Sequence, residues 1–143
     1  MKHPNKEIMM QVLKYSKKYH TYSAFVVKDD KIISKSINTT KKSGLVTMHA
    51  EINAIEKASK KLNSLYLKDC WLYCSIEPCS MCSSASCWSR LEGVVYCLDR
   101  KDDLAIKSKN HNYINVSIEY IFKKAKIKPK LIKHFLRNKS KAI

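Results

Sequence analysis

The chain has 143 residues, 45% of them hydrophobic, and a formal net charge of +16 from 28 Lys and Arg against 12 Asp and Glu. That length predicts one domain, residues 1–143, with enough apolar material to cover both faces of a small sheet. No run of about 18 apolar residues occurs, which speaks against a membrane span, and only Gly44 and Gly93 are present, which excludes a glycine-built phosphate loop.

Residues 4 to 19 predict a helix. Pro4 suits its first turn, and Ile8, Val12, Ser16 and Tyr19, with Met9 and Leu13 beside them, form one stripe at helical spacing. Ser23 to Val27 predicts a strand, Lys28 to Lys31 a tight polar turn, and Ile32 to Ile37 a returning strand. A polar loop follows from Asn38 to Val46. Met48 to Leu62 then predicts a helix that turns Ile52, Ile55 and Ala58 to a core and Lys57, Lys60 and Lys61 to water. Cys70 to Ile76 is apolar throughout, the mark of a central strand covered on both faces, and Pro78 ends it. Cys79 to Arg90 predicts a helix, Val94 to Leu98 another buried strand, and Tyr113 to Ile118 a fifth strand. Helical patterning resumes at Glu119. Pro129 restarts it as a Lys-rich C-terminal helix, about 129–141, with Leu131, Ile132, Phe135 and Leu136 on one side. The order defines an α/β sandwich: a five-stranded mixed sheet between helices.

Six cysteines occur, and the start of the chain lacks the apolar segment of a signal peptide. The expected compartment is therefore the cytoplasm, with reduced thiols and metal binding favoured over disulfides. Cys70, Cys74 and Cys97 lie in strand-like runs and read as small core residues. The positive charge concentrates at the end: after Glu119 there are nine Lys or Arg and no acid. Such an end suits an anionic partner such as nucleic acid, and it equally suits a solvated terminal helix.

Two short motifs carry the chemistry: His49-Ala50-Glu51 and Pro78-Cys79-Ser80-Met81-Cys82. His49, Cys79 and Cys82 are three zinc ligands, which leaves a tetrahedral ion one open position. The Cys-x-x-Cys spacing lets both sulfurs reach one ion. At a helix start the exposed N–H groups and the dipole favour the thiolates. Thiolates with imidazole favour zinc over iron. Glu51, two residues from His49, points away from it on a helix and is free to move protons as the catalytic acid and base. A closed structural zinc site needs a fourth protein ligand. Cys87, five residues after Cys82, is the available one and falls on a different helix face.

The segments Thr47 to Ile55 and Ser75 to Cys82 closely resemble the cytidine deaminase superfamily, whose signature is H-x-E…P-C-x-x-C. Within it they look most like the branch holding guanine, cytosine and tRNA adenosine deaminases. The resemblance covers about residues 4 to 100. It implies a three-layer α/β/α fold, one Zn²⁺ per subunit and a homodimer. It implies hydrolytic deamination of a nucleobase or nucleoside, the exocyclic amine leaving as ammonia. The alternatives are a tRNA-specific adenosine deaminase, reaching tRNA through the basic C-terminus, and a non-catalytic nucleic-acid-binding protein that keeps the fold. It also implies substrate contacts for Asn38, which otherwise reads as a turn residue, and for Trp88, which otherwise reads as a packing residue. Tyr22 to Phe25 and the region from Asp99 to Asn112 depart from the branch pattern.

Overall fold

A computed structural model describes residues 2–103 and 111–140. Helix α1 spans Lys6–Tyr19 and begins two residues later than the Pro4 start. Asn5 caps it, its side-chain oxygen accepting the Ile8 amide at 3.1 Å. Strands β1 (Ser23–Lys28) and β2 (Lys31–Ile37) form a hairpin. Its two turn residues, Asp29 and Asp30, both have positive φ (47° and 65°), the backbone that a tight hairpin turn requires. A short helix α2 (Thr40–Ser43) interrupts the expected loop, and α3 follows at Ala50–Leu62. Then come β3 (Cys70–Ile76), α4 (Ser80–Trp88), β4 (Gly93–Leu98), α5 (Ile118–Lys124) and β5 (Lys130–Ile132).

The five strands form one sheet in the order β2-β1-β3-β4-β5. β1 is antiparallel to β2 and β3, whereas β3, β4 and β5 are parallel, so the sheet is mixed as expected. Side-chain alternation along the strands feeds two cores. Ala24, Val26, Leu72, Cys74, Val94 and Tyr96 face α3, α4 and α5. Phe25, Val27, Trp71, Tyr73, Val95 and Cys97 face α1. The result is three layers, helix on sheet on helix. Cys70, Cys74 and Cys97 are buried core residues. Among the described residues no helix is long and apolar enough to cross a membrane.

The C-terminal third departs from the expectation. Tyr113 to Val116 has no regular structure, and Ile118 opens α5 instead of ending a strand. The expected helix at about 129–141 is, in its described part, the strand β5 followed by a turn and a short 3-10 segment at Arg137–Lys139. The physical reason is the open edge of β4, whose backbone groups need partners. Gly93, Val94 and Val95 pair with Lys130, Leu131 and Ile132. Pairing sends Leu131 to one core and Ile132 to the other, so the apolar residues that seemed to share one helix side serve opposite faces of the sheet. Phe135 and Leu136 then close over the α1 side, the Phe135 amide donating to the Tyr96 carbonyl at 2.9 Å.

Candidate metal centre and active site

Two strand-to-helix junctions build the site. The chain leaves β2, crosses α2 and enters α3 at His49; it leaves β3 through Glu77-Pro78 and enters α4 at Cys79. His49 and Cys79 are the N-cap residues of their helices, and neither side chain makes a capping hydrogen bond. Both side chains are instead turned toward one another. His49 Nδ1 lies 3.6 Å from the Cys79 sulfur and 3.6 Å from the Cys82 sulfur. All three ligand atoms lie within 4.8 Å of one another. A thiolate and an imidazole nitrogen bound tetrahedrally to one zinc ion would stand about 3.5 Å apart, so the donor set fits that metal in type and spacing. Among the described residues no fourth ligand joins the group, and Cys87 packs instead beside the α3–α4 core.

The protons are shared within this group. The Cys79 sulfur is held down at about 3, first by its hydrogen bond with Cys82 and then by His49, against the opposing effect of burial. Cys82 is pushed up, first by its bond with Cys79 and then by burial. His49 is raised, mainly by its bond to Cys79. Two sulfurs and an imidazole nitrogen are thus arranged around one point. Glu51 is in the first turn of α3 and only 4% exposed. Burial raises its carboxyl above the usual range, while a hydrogen bond with Cys82 and the charges of His49 and Arg100 pull the other way.

Sequence patterning assigned no role to two residues that hold this frame. The Glu77 amide donates to the Leu98 carbonyl at 2.7 Å. Its carboxylate accepts the Arg100 amide at 3.4 Å and the Ile118 amide at 3.1 Å. Asn53, on α3, donates to the Ile37 carbonyl at 3.0 Å, the Thr39 hydroxyl at 2.8 Å and the Met48 carbonyl at 3.3 Å. An acid directly before Pro-Cys, and an amide on the inner side of an amphipathic helix, were the available signals.

The two remaining candidates diverge. Asn38 ends the hairpin beside the site, its side-chain oxygen accepting the Thr40 amide at 2.9 Å, while the next residue, Thr39, donates its amide to Met48, just before His49. Trp88 is the last residue of α4, about 13 Å along the helix axis from Cys79 at 1.5 Å per residue. It is 83% exposed, so it is neither a packing residue of this chain nor a neighbour of the metal group. Of the unmatched region, residues 104–110 lie outside the described residues, whereas Asp99 to Asp103 and Tyr113 border the site through Glu77 and Arg100.

The fold, the ligand group and the buried acid together define a zinc deaminase framework. The chain belongs to the cytidine and deoxycytidylate deaminase zinc-binding family, whose profile it matches over residues 4–98. It is 46% identical over 79 residues to a tRNA-specific adenosine deaminase of Aquifex aeolicus (strain VF5), covering 54% of this chain and 52% of that protein. It is 43% identical over 81 residues to a guanine deaminase of Bacillus subtilis (strain 168), covering 57% of this chain and 52% of that protein. The aligned residues thus span about half the length of these relatives. A solved structure from studies of A-to-I editing by tRNA:A34 deaminases at the wobble position of transfer RNA superposes with a TM-score of 0.74 at 24% identity, covering 94% of each chain.

Proposed function

We propose that this protein is a hydrolytic deaminase, converting the amine-bearing carbon of a nucleobase or nucleoside to a carbonyl with release of ammonia. The observation that carries the reading is the buried Glu51 beside three convergent ligand atoms, with no fourth among the described residues. His49, Cys79 and Cys82 would hold the zinc ion. When bound, zinc supplies the Lewis acidity that makes water a nucleophile near neutral pH. Glu51 accepts a proton from the attacking water and delivers one to the ring nitrogen. It then passes a proton to the departing amine, so water and substrate amine become carbonyl and ammonia. A carboxyl raised by burial suits both directions of transfer. Asn38, at the site's edge, is the candidate to orient the base.

A second reading is deamination of adenosine within tRNA. Two observations favour it: the resemblance to a tRNA-specific adenosine deaminase and the net charge of +16. The fully basic end after Glu119 is then the contact for the RNA backbone. All six cysteines are free thiols, which suits a cytoplasmic protein. We further propose a homodimer formed through the Trp88 face. There the exposed indole stands between two hollows of about 480 Å³ each, lined in part by Leu65, Tyr66, Ile121 and Ile127.

The decisive experiment is an ammonia-release screen of the zinc-loaded protein. It offers adenine, guanine and cytosine, their nucleosides and nucleotides, and unmodified tRNA. Turnover of a base or nucleoside supports the first reading and turnover of tRNA alone the second. No ammonia from any of them overturns both.

A further inference from the structure

The chain has only three arginines: Arg90, Arg100 and Arg137. Arg137 is paired with Asp99 and Asp102, and Arg90 lies over the Tyr66 ring beyond the far end of α4. Arg100 is differently placed. It opens the 3-10 turn Arg100–Asp102 at the carboxyl end of β4, and its amide is held by Glu77, two residues ahead of Cys79. In an open α/β sheet, ligands gather outside the carboxyl ends of the parallel strands, which is where β3 delivers Cys79 and β4 delivers Arg100.

The guanidinium lies over the Tyr113 ring, 4.8 Å from its centroid, and its Nε is shielded from solvent with no hydrogen-bond partner. The acids beside it in sequence are engaged elsewhere. Asp99 takes His134 at 2.6 Å and also faces Lys101 and Arg137; Asp102 takes Arg137 at 2.7 Å; Asp103 is hydrogen-bonded with Tyr22. Among the described residues no carboxylate stands within ion-pair distance of the Arg100 guanidinium. Its place at the carboxyl end of β4, with its amide held by the residue two ahead of Cys79, sets it beside the loop that delivers the metal ligand.

We propose that Arg100 is the anion-binding residue of the active site and that the protein takes its base attached to a phosphate. The proposal rests on the deaminase reading for the identity of the base. A neutral base offers a guanidinium only uncharged lone pairs, whereas a phosphate offers a full negative charge and two oxygens at the spacing of its donors. The planar guanidinium matches phosphate with two parallel N–H donors, and stacking on Tyr113 holds that plane in place before the ligand arrives. The phosphate comes from a free mononucleotide or from the backbone of a single-stranded nucleic acid. The chemistry at Arg100 is the same in both.

The test is equilibrium binding to the full-length, zinc-loaded Glu51→Gln protein. The probes are adenosine, guanosine and cytidine, their 5′-monophosphates, and short single-stranded RNAs carrying the same bases. A phosphorylated form is expected to bind tighter than its nucleoside by about tenfold or more, and salt should weaken only the phosphorylated ligand. In Arg100→Met that preference collapses to near unity, and in Arg100→Lys part of it survives. Preference for the mononucleotide assigns a free nucleotide; preference for the oligonucleotide alone assigns a nucleic-acid backbone. Equal binding of nucleoside and phosphorylated form by the parent protein overturns the proposal. So does binding of no ligand, or a preference that survives Arg100→Met undiminished. If Arg100→Met does not fold, Arg100→Gln takes its place, and a preference that survives that change undiminished likewise overturns the proposal. Failure of the deaminase reading shows separately, as no ammonia from the parent enzyme.

Discussion

The Glu77 carboxylate accepts the backbone amide of Ile118 at 3.1 Å across 41 positions of sequence. With its second oxygen on the Arg100 amide, this one side chain ties the turn after β4 and the start of α5 to the loop that delivers Cys79. Glu77→Ala leaves the Ile118 amide without its acceptor in a buried setting and is expected to destabilise the fold by about 1–3 kcal/mol. Glu77→Gln keeps one acceptor but turns an NH₂ donor toward an N–H donor, so it should recover only part of that loss. Urea unfolding of the three proteins checks the order, and an alanine variant as stable as the parent would contradict it.

How far the sequence alone carries can be seen at this junction. Pro78-Cys79-x-x-Cys82 and His49-x-Glu51 were legible because each is local: the spacing on one helix start decides which atoms can converge. β3 was legible because an unbroken apolar run of strand length, closed by Pro78, is buried on both faces. Glu77 was not legible, since its partners are amides of distant residues and an amide leaves no trace in side-chain patterning. β5 was misread for a related reason. Three residues beside Pro129 carry no period of their own, and the edge of β4 determines that they extend. Trp88 needed the third dimension, because a Trp on an amphipathic helix reads as core until the neighbouring elements are in place.

Glu51→Gln tests the chemistry. The amide keeps the size of the side chain but cannot take a proton from water. Zinc content should stay near one ion per chain by metal analysis, because Glu51 is not one of the three ligands in the convergent group. Ammonia release should fall by about 10²–10⁴-fold, the usual contribution of a positioned acid or base. Undiminished release from the variant would remove Glu51 from the mechanism.

His3 gives the fold a pH dependence whose sign follows from its partners. The Tyr73 hydroxyl accepts the Asn5 amide at 2.8 Å, and its own proton can be donated to His3 Nδ1, 2.7 Å away, when that nitrogen carries none. That arrangement needs Nδ1 unprotonated, and the ring is stacked on Trp71 with centroids 4.2 Å apart. Burial, the largest influence, lowers its pKa from 6.5, with the N-terminal charge and Lys130 acting in the same direction against Glu92 and Asp30. The unfolded chain then binds this proton more readily than the folded one. The stabilisation is complete above 6.5 and is lost as pH falls through the lowered folded value. Thermal unfolding followed from neutral pH downward should show the parent losing stability faster than His3→Gln, whose side chain does not titrate. Parallel pH curves for the two would refute the assignment.

Trp88 presents the clearest test of assembly. An indole that is 83% exposed, with Leu65 at 77% beside the same hollow, is apolar surface that a lone chain gains nothing by showing to water. In a twofold pairing the same patch meets itself, so each chain's Trp88 can enter a hollow of its partner. A single Trp88→Glu change then acts twice per interface, removing the indole from each hollow. Such buried aromatic anchors cost about 2 kcal/mol or more each when removed, enough to shift the dissociation constant by a factor of about thirty for every copy. The parent should sediment as a dimer at micromolar concentration and Trp88→Glu as a monomer with unchanged circular dichroism. Because the indole is about 13 Å along α4 from Cys79, the monomer should still bind zinc at one ion per chain. A parent that sediments as a monomer, or a Trp88→Glu protein that remains a dimer, would overturn pairing through this face.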